Sequence, residues 1–253
     1  MVSFTEAQIL GWITPTIWTF LRTLALFSAL PVLGTRTVPA RVRIALSAFI
    51  ALAAQGSLPT PPELPLDSLP AFVLLAQQMV IGLAMGFAVR VVFSAVEFAG
   101  EIIGLQMGLN FAGFFDPVSA TAGTATSRFY GTTIAWLFVV SGGHLLVVAA
   151  LLQSFVAFPV GPEPFAFVHQ VQPQRWAAEI FSMGLWIALP LVAMLLLVNL
   201  VLGLISRVAP QINVFSVGFP ITLGVGLLGL LLTLPSLQSP FTMALERMLS
   251  IFR

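Results

Sequence analysis

The sequence predicts an all-α integral membrane protein, and three observations lead to this class. Of the 253 residues, 58% are hydrophobic and only 8% are charged, with a mean hydropathy of +1.05. Soluble domains are about a quarter charged, so this chain cannot cover a water-facing surface with polar groups. Residues 129–162, 180–206 and 208–245 contain no Asp, Glu, Lys or Arg. Each stretch exceeds the roughly 20 apolar residues that a helix needs to cross a bilayer.

Composition also argues against several classes of function. The net charge of +1 gives no support for nucleic-acid binding. Cysteine is absent and there are only two histidines, so we expect no metal site, and no motif suggests a cofactor. No nucleophile–base pair is recognisable, which makes an enzyme the least favoured reading. The first residues lack a basic region and a cleavage motif, so no removable signal peptide is expected.

The apolar blocks follow one another with Pro, Gly and charged residues between them. Six hydrophobic helical blocks are predicted, at 7–33, 44–54, 71–115, 130–158, 176–205 and 221–234. A last segment, 241–252, is predicted as a short amphipathic helix with Glu246, Arg247 and Arg253 on its polar side.

Two blocks do not fit a simple membrane span. Block 44–54 is too short for about 30 Å of hydrocarbon at about 1.5 Å per residue. Block 71–115 is about twice the necessary length, so it either breaks near Glu97 and Glu101 or continues as one helix that leaves the membrane. Several blocks are therefore expected to be broken or re-entrant.

Arginines near the ends of the blocks give an expected orientation. Arg36, Arg41 and Arg43 follow the first block, whereas the proline-rich loop after the second block carries Glu63 and Asp67. Because basic residues favour the cytoplasmic side, the N-terminus is expected outside.

One face of the third block combines carboxylates with residues that have almost no side chain. At 100° per residue, its members fall within an arc of about 100°: Glu97, Gly100, Glu101, Gly104 and Gly108. Such a face allows close approach of another helix and should not face lipid. It could be a buried polar patch with a carboxylate protonated or paired with Arg90. We favour the wall of a water-filled path or a contact with another subunit.

Two segments interrupt the helices. The first, 110–128, carries Phe111, Phe114 and Phe115 followed by an Asp116–Pro117 turn. Its phenylalanines either re-enter the core or form a hydrophobic plug, and the residues favour neither. The second, 206–220, contains Arg207, Pro210, Gln211 and Asn213, and is either an ordinary loop or the rim of a channel mouth.

Two further features of the sequence predict how the helices pack. Arg22, inside the first block, is predicted to bond to a neighbouring helix or to extend to a membrane interface. Gly82 and Gly86 are spaced for helix packing.

Four phrases stand in this order along the chain: "RTLALFSALPVLGTRTVPARVRIAL" (22–46), "GLQMGLNFAGFFDPVS" (104–119), "GGHLLVVAALLQSF…FPVG" (142–161) and "ISRVAPQINVFSVGFPITLGVGLL" (205–228). Taken together, they resemble the flagellar branch of the FliR/SctT family of type III secretion export-gate proteins. The resemblance covers nearly the whole chain.

The resemblance implies a single-copy subunit that joins FliP and FliQ homologues in a channel for unfolded flagellar proteins in the bacterial inner membrane. A FlhB homologue is a further expected partner. Residues 1–170 would be FliP-like and 171–253 a FliQ-like hairpin. The resemblance also places loop 110–128 in the pore, with Phe111 and Phe114 as obstructing residues, and the 206–220 loop, with Arg207, at the cytoplasmic entrance.

Two other functions stay open at this stage. A small secondary transporter also uses broken helices and intramembrane carboxylates. It would bind a small solute as an isolated protein. A purely structural scaffold would tolerate replacement of all three phenylalanines.

Overall fold

A computed structural model describes residues 6–59, 68–109, 123–161, 167, 171–172, 175–211 and 214–253. Within these ranges the chain is helical and has no strand, which confirms the predicted class. The α-helices are α1 Glu6–Ala29, α2 Ala40–Ala54, α3 Leu69–Gln106, α4 Ala125–Val140, α5 Gly143–Ala157, α6 Trp176–Val208, α7 Val214–Thr233 and α8 Gln238–Leu249. Short 3-10 turns, Leu234–Leu237 and Ser250–Phe252, precede and follow α8.

Among the described residues, three helices are long and apolar enough to cross a membrane. They are α3, α6 and the continuous segment Ser216–Phe252. The bent pair α4 and α5 adds a fourth candidate if it counts as one broken span. Helix α2, with 15 residues, is too short by itself, as its sequence predicts.

The structure decides between the two alternatives for block 71–115 and adds a break that the sequence pattern did not predict. Helix α3 continues through Glu97 and Glu101 without a break, so the long-helix alternative is correct. Block 130–158 is instead interrupted at Gly142, whose φ of +75° is a left-handed conformation that ends the helical path. The last block and the amphipathic segment join through the 3-10 turn Leu234–Leu237.

The chain forms two compact units that alternate along the sequence. Residues 1–90, 142–176 and 245–253 make up the first unit, and residues 91–141 and 177–244 make up the second. These boundaries do not coincide with the predicted division into a FliP-like part, 1–170, and a FliQ-like part, 171–253. That division is based on resemblance to other proteins and not on compactness, and it stays a prediction.

In the first unit, α1 packs closely on α3 through glycine. A Cβ added at Gly82 would collide with the Arg22 carbonyl oxygen, and one at Gly86 would lie 2.8 Å from the Leu26 carbonyl oxygen. Trp18 of α1 is buried against Ala71 and Leu74 of α3. The predicted packing role of Gly82 and Gly86 is confirmed.

In the second unit, glycines again mark the helix contacts. A Cβ at Gly184 of α6 would lie 2.8 Å from the Ala95 carbonyl oxygen of α3. One at Gly226 of α7 would lie 2.5 Å from the Met107 Cγ, just after α3. The second half of α3 is therefore in contact with α6, and the turn that follows α3 is in contact with α7.

The C-terminal helix has the predicted amphipathic character. Leu245, Leu249 and Phe252 are buried, whereas Glu246 and Arg247 are exposed.

Candidate functional site

The end of α3 and the start of α4 form a junction in the second unit, and we call it the stem. On α3 it comprises Glu97, Gly100, Glu101 and Gly104, and on the α4 side it comprises Thr124, Thr126, Ser127 and Gly131. The chain leaves the stem after Leu109 and returns at Gly123. The stem therefore holds both ends of segment 110–122.

The end of α3 is fixed by a glycine cap. Gly108 has φ +80°, and its amide donates to the Leu105 carbonyl oxygen at 3.1 Å. The Leu109 amide donates to the Gly104 carbonyl oxygen at 3.0 Å. This pair of bonds is the Schellman arrangement, which requires a left-handed residue at the Gly108 position. Gly108 therefore terminates α3, a role that differs from the packing role expected from the sequence.

The start of α4 is fixed by a threonine cap. Thr124 has extended backbone, and its hydroxyl oxygen accepts from the Ser127 amide at 3.2 Å. Gly123, directly before it, has φ +77°, which glycine adopts without strain. Such a cap satisfies one of the free amides of the first helical turn.

The predicted glycine face is filled by α4 of the same chain. A Cβ at Gly100 would lie 2.8 Å from the Ser127 Cα and 2.9 Å from the Thr126 carbonyl oxygen. One at Gly104 would lie 2.8 Å from the Thr124 Oγ1 and would overlap the Thr126 hydroxyl. Any larger residue at either position would push the two helices apart.

The carboxylate of Glu101 joins the two sides of the stem. Its Oε2 accepts from the Thr124 amide and from the Thr124 hydroxyl, each at 3.0 Å. Because the single hydroxyl proton of Thr124 goes to Glu101, the 3.0 Å contact with Thr126 must have Thr126 as donor. All donor and acceptor capacity of the Thr124 hydroxyl is then used.

Glu97 is placed differently from Glu101. Its side chain is exposed, and its backbone carbonyl oxygen accepts from the Ser127 hydroxyl at 3.0 Å. A Cβ at Gly131 of α4 would lie 3.0 Å from the Glu97 Oε1, so the glycine makes room for this carboxylate. Because α4 already covers Gly100, Glu101 and Gly104, a contact with another subunit stays a prediction only for the exposed Glu97 side chain.

The predicted plug residues lie outside the described part of the chain. These are Phe111, Phe114, Phe115, Asp116 and Pro117. The second predicted loop, 206–220, is too long, because 206–208 belong to α6 and 214–220 to α7. Arg207 is exposed in the last turn of α6, and Pro210 and Gln211 form an exposed turn. Asn213 is also outside the described residues.

Arg22 is the most completely buried charged side chain of the described part, with no exposed surface. Its Nε donates to the Gln78 Oε1 at 2.8 Å, and its two terminal nitrogens donate to the Ser154 Oγ and the Phe158 carbonyl oxygen, each at 2.9 Å. The guanidinium also lies 3.8 Å from the centre of the Phe155 ring. Arg22 therefore ties α1 to α3 and to the end of α5, which confirms the interhelical alternative.

Thr124, Thr126 and Gly131 were not expected as site residues. The sequence predicts a loop through residue 128 and a fourth block that starts at Tyr130, because the run of Ala, Ser and Thr is typical of a loop. This is wrong, since α4 already begins at Ala125. A threonine that can accept from an amide three residues later is the signal for a cap. In the described residues, no cluster of His, Asp and Glu has the arrangement of a metal site.

Long apolar helices, glycine-mediated helix contacts and a fully buried arginine define a polytopic helical membrane protein. Residues 13–248 match the family "Bacterial export proteins, family 1". The chain belongs to this family.

Individual relatives cover most of the chain. It is 42% identical over 241 residues to the flagellar biosynthetic protein FliR of Escherichia coli, covering 95% of this chain and 92% of the relative. It is 40% identical to FliR of Pectobacterium carotovorum, over 95% of this chain and 92% of the relative. It is 31% identical to FliR of Bacillus subtilis, over 90% of this chain and 91% of the relative.

Proposed function

We propose that this protein is a subunit of the flagellar type III export gate in the bacterial inner membrane. It joins FliP and FliQ homologues in a channel for unfolded flagellar proteins, with a FlhB homologue as neighbour. The observation that carries the proposal is end-to-end similarity to proteins named flagellar biosynthetic protein FliR. Export by such a gate requires positioning of a polypeptide, and no catalytic role is proposed.

Exposed apolar helix faces support the expectation of partner subunits. In α6, only 17% of the most apolar window is buried within the chain, against 61% in α3. Trp186, Leu197 and Leu200 of α6 are among its exposed large side chains. Such residues must be covered by lipid or by other helices, and α6 lies in the part, 171–253, that is proposed to be FliQ-like.

Segment 110–122 is the proposed plug, with Phe111 and Phe114 obstructing the path and Phe115 beside them. The stem supports this role, because both ends of the segment are fixed on α3 and α4. A ring of apolar side chains in a narrow pore excludes water and ions, and a short loop can move aside for a passing chain. Asp116 and Pro117 would form the turn of the loop.

The second loop is proposed as the cytoplasmic entrance. Arg207, Pro210 and Gln211 are exposed there, and Asn213 completes the sequence motif. Arg207 also lies in the last turn of α6, where a positive charge is favoured by the helix dipole.

Export in living cells tests the proposed function. A flagellated bacterium that lacks its own FliR is expected to secrete hook and filament proteins again when it expresses this chain together with the matching FliP and FliQ homologues. Expression of the FliP and FliQ homologues without this chain is the control. Failure to restore secretion, with all three proteins present in the membrane, would reject the proposal.

A further inference from the structure

We propose that helix α2 and the turn before it bind anionic phospholipid at the membrane surface. The binding surface combines three arginines with an exposed apolar stripe, and we call it the basic surface. Its members are Arg36, Arg41, Arg43, Val42, Leu46, Phe49 and Leu52, all in the first unit. The inference goes beyond the proposed function, because it needs only a membrane protein and neither a plug nor an export role.

Helix α2 buries small side chains and exposes large ones. Ser47, Ala51 and Ala54 are its buried residues, and the helix packs against α1. On the outward side, the Phe49 side chain is 70% exposed and the Leu52 side chain is 62% exposed. An apolar stripe of this kind must be covered by lipid or by another protein.

Two of the arginines flank this stripe. At 100° per residue, Arg41 and Arg43 lie about 100° to either side of Val42. Phe49, seven residues after Val42, lies on the same side of the helix. Long basic side chains on both flanks can reach the phosphate groups of lipids while the stripe between them contacts the acyl chains.

The length and the ends of α2 favour a position at one membrane surface. Its 15 residues span about 22 Å at about 1.5 Å per residue, which is less than the roughly 30 Å of hydrocarbon. Exposed arginine lies near its start, and the exposed residues Gln55, Gly56 and Ser57 follow its end. Polar groups at both ends of a short helix favour the boundary between headgroups and acyl chains over the bilayer centre.

The positive charge of the basic surface has no acidic counterpart close by in the chain. Residues 7–62 contain four arginines and no Asp or Glu. Within the described residues, no hydrogen bond or ion pair holds the Arg36 or Arg41 guanidinium, and the Arg43 Nε is buried without an acceptor. Each arginine near a membrane surface strengthens the attraction to anionic lipid, so the basic surface should prefer anionic over zwitterionic phospholipid.

The turn and the start of α2 add to this preference. Arg36 lies in a turn that is closed by the Val38 amide, which donates to the Thr35 carbonyl oxygen at 3.2 Å. Helix α2 follows Pro39 without a side-chain cap and has no acidic residue in its first turn. Free amides at the start of a helix favour a negative group, which a lipid phosphate supplies. A phospholipid also brings acyl chains for the adjoining stripe, which an acidic protein segment lacks.

Three kinds of variant separate the contributions to lipid binding. Arg36→Gln, Arg41→Gln and Arg43→Gln, singly and together, remove the charge. Phe49→Ser removes apolar surface and keeps every charge. Arg175→Gln is the matched control, because Arg175 is an exposed arginine of the same unit outside the basic surface.

The delipidated full-length chain is titrated in detergent with phosphatidylglycerol or with phosphatidylethanolamine of the same acyl chains, and bound lipid is counted by native mass spectrometry. The unmodified chain should bind the first phosphatidylglycerol about tenfold or more tighter than phosphatidylethanolamine. Each arginine variant should weaken phosphatidylglycerol binding about two- to fivefold, and the triple variant should lose the preference. Phe49→Ser should weaken both lipids by the same factor, and Arg175→Gln should match the unmodified chain.

The Tm of each delipidated variant shows whether it is folded, and each single arginine variant tests the inference if the triple variant is not. Equal binding of the two lipids by the unmodified chain would overturn the inference. A preference that persists in the arginine variants would overturn it as well. The titration is repeated on the complex with the FliP and FliQ homologues. A preference that is present in the isolated chain but lost in the complex would show that another subunit covers the basic surface, and it would overturn lipid as the occupant.

Discussion

Replacement of Arg22 by methionine should destabilise the first unit by about 3 kcal/mol. The change removes three hydrogen bonds and leaves the Gln78 Oε1 and the Phe158 carbonyl oxygen without this donor. An unsatisfied buried acceptor costs about 1–3 kcal/mol, so the two together cost roughly 2–6 kcal/mol. The cost at Ser154 is smaller, because its hydroxyl loses Arg22 as a donor but still donates to the Leu151 carbonyl oxygen at 2.6 Å. Relief from burying a guanidinium offsets part of this cost.

The assay is thermal unfolding of the detergent-solubilised protein, in which the protein that stays folded after heating is quantified by size-exclusion chromatography with fluorescence detection. A loss of about 3 kcal/mol corresponds to a fall in Tm of roughly 6–12 °C for a chain of this size. Arg22→Lys should be intermediate, since an ammonium cannot reproduce the planar set of donors. Arg41→Met, at an exposed arginine of α2, is the control and should shift Tm little. If Arg22→Met changed stability by less than about 0.5 kcal/mol, the bonds of the guanidinium would only compensate for its burial, and the assignment of Arg22 as a stabilising tie would be wrong.

Three further predictions concern the stem and the two loops. Gly104→Ala should destabilise the second unit by about 1–3 kcal/mol, because the added methyl group would overlap the Thr126 hydroxyl. Gly203→Ala is the control in the same unfolding assay. A Cβ at Gly203 meets nothing within 4 Å, so this variant should be neutral or stabilising. The Phe111→Ala/Phe114→Ala double variant should raise ion conductance of the purified complex without loss of assembly, and unchanged conductance would remove the basis for a plug. Arg207→Glu should lower secretion while the complex still forms, because the Arg207 side chain is exposed and makes no hydrogen bond within the described residues. Full secretion by this variant would show that the positive charge has no role at the entrance.

The long helices could be predicted because their signal is strong and local. Uncharged stretches such as 180–206 exceed the membrane thickness, and α6 indeed covers Trp176–Val208. The interruption at Gly142 could not be predicted in the same way. Both sides of it are equally apolar, and hydropathy does not record the direction of a helix axis. The positive φ of Gly142 depends on the fold around it.

The stem was predicted only in part. The spacing of Gly100 and Gly104 indicates a close helix contact, and such a contact is present. The spacing does not say which helix makes the contact, because that depends on the tertiary structure. The same pattern would fit the first turn of α4 or a helix of another subunit. The bonds of Glu101 to Thr124 join residues 23 positions apart, and no local periodicity encodes such a pairing.

Arg22 illustrates a related limit. A single arginine in an apolar helix indicates an interhelical bond or an interfacial position, and periodicity cannot decide between them. The decision depends on Gln78, Ser154 and Phe158, which lie 56 to 136 residues further along the chain.

The native mass of the detergent-solubilised complex tests the central claim most directly. The tagged chain is co-expressed with FliP and FliQ homologues from the same organism, purified, and measured by native mass spectrometry. The account predicts one large complex that contains both other proteins and a single copy of this chain. A stable monomer or homodimer without partners would contradict the export-gate assignment, and binding of a small solute to that species would favour a transporter.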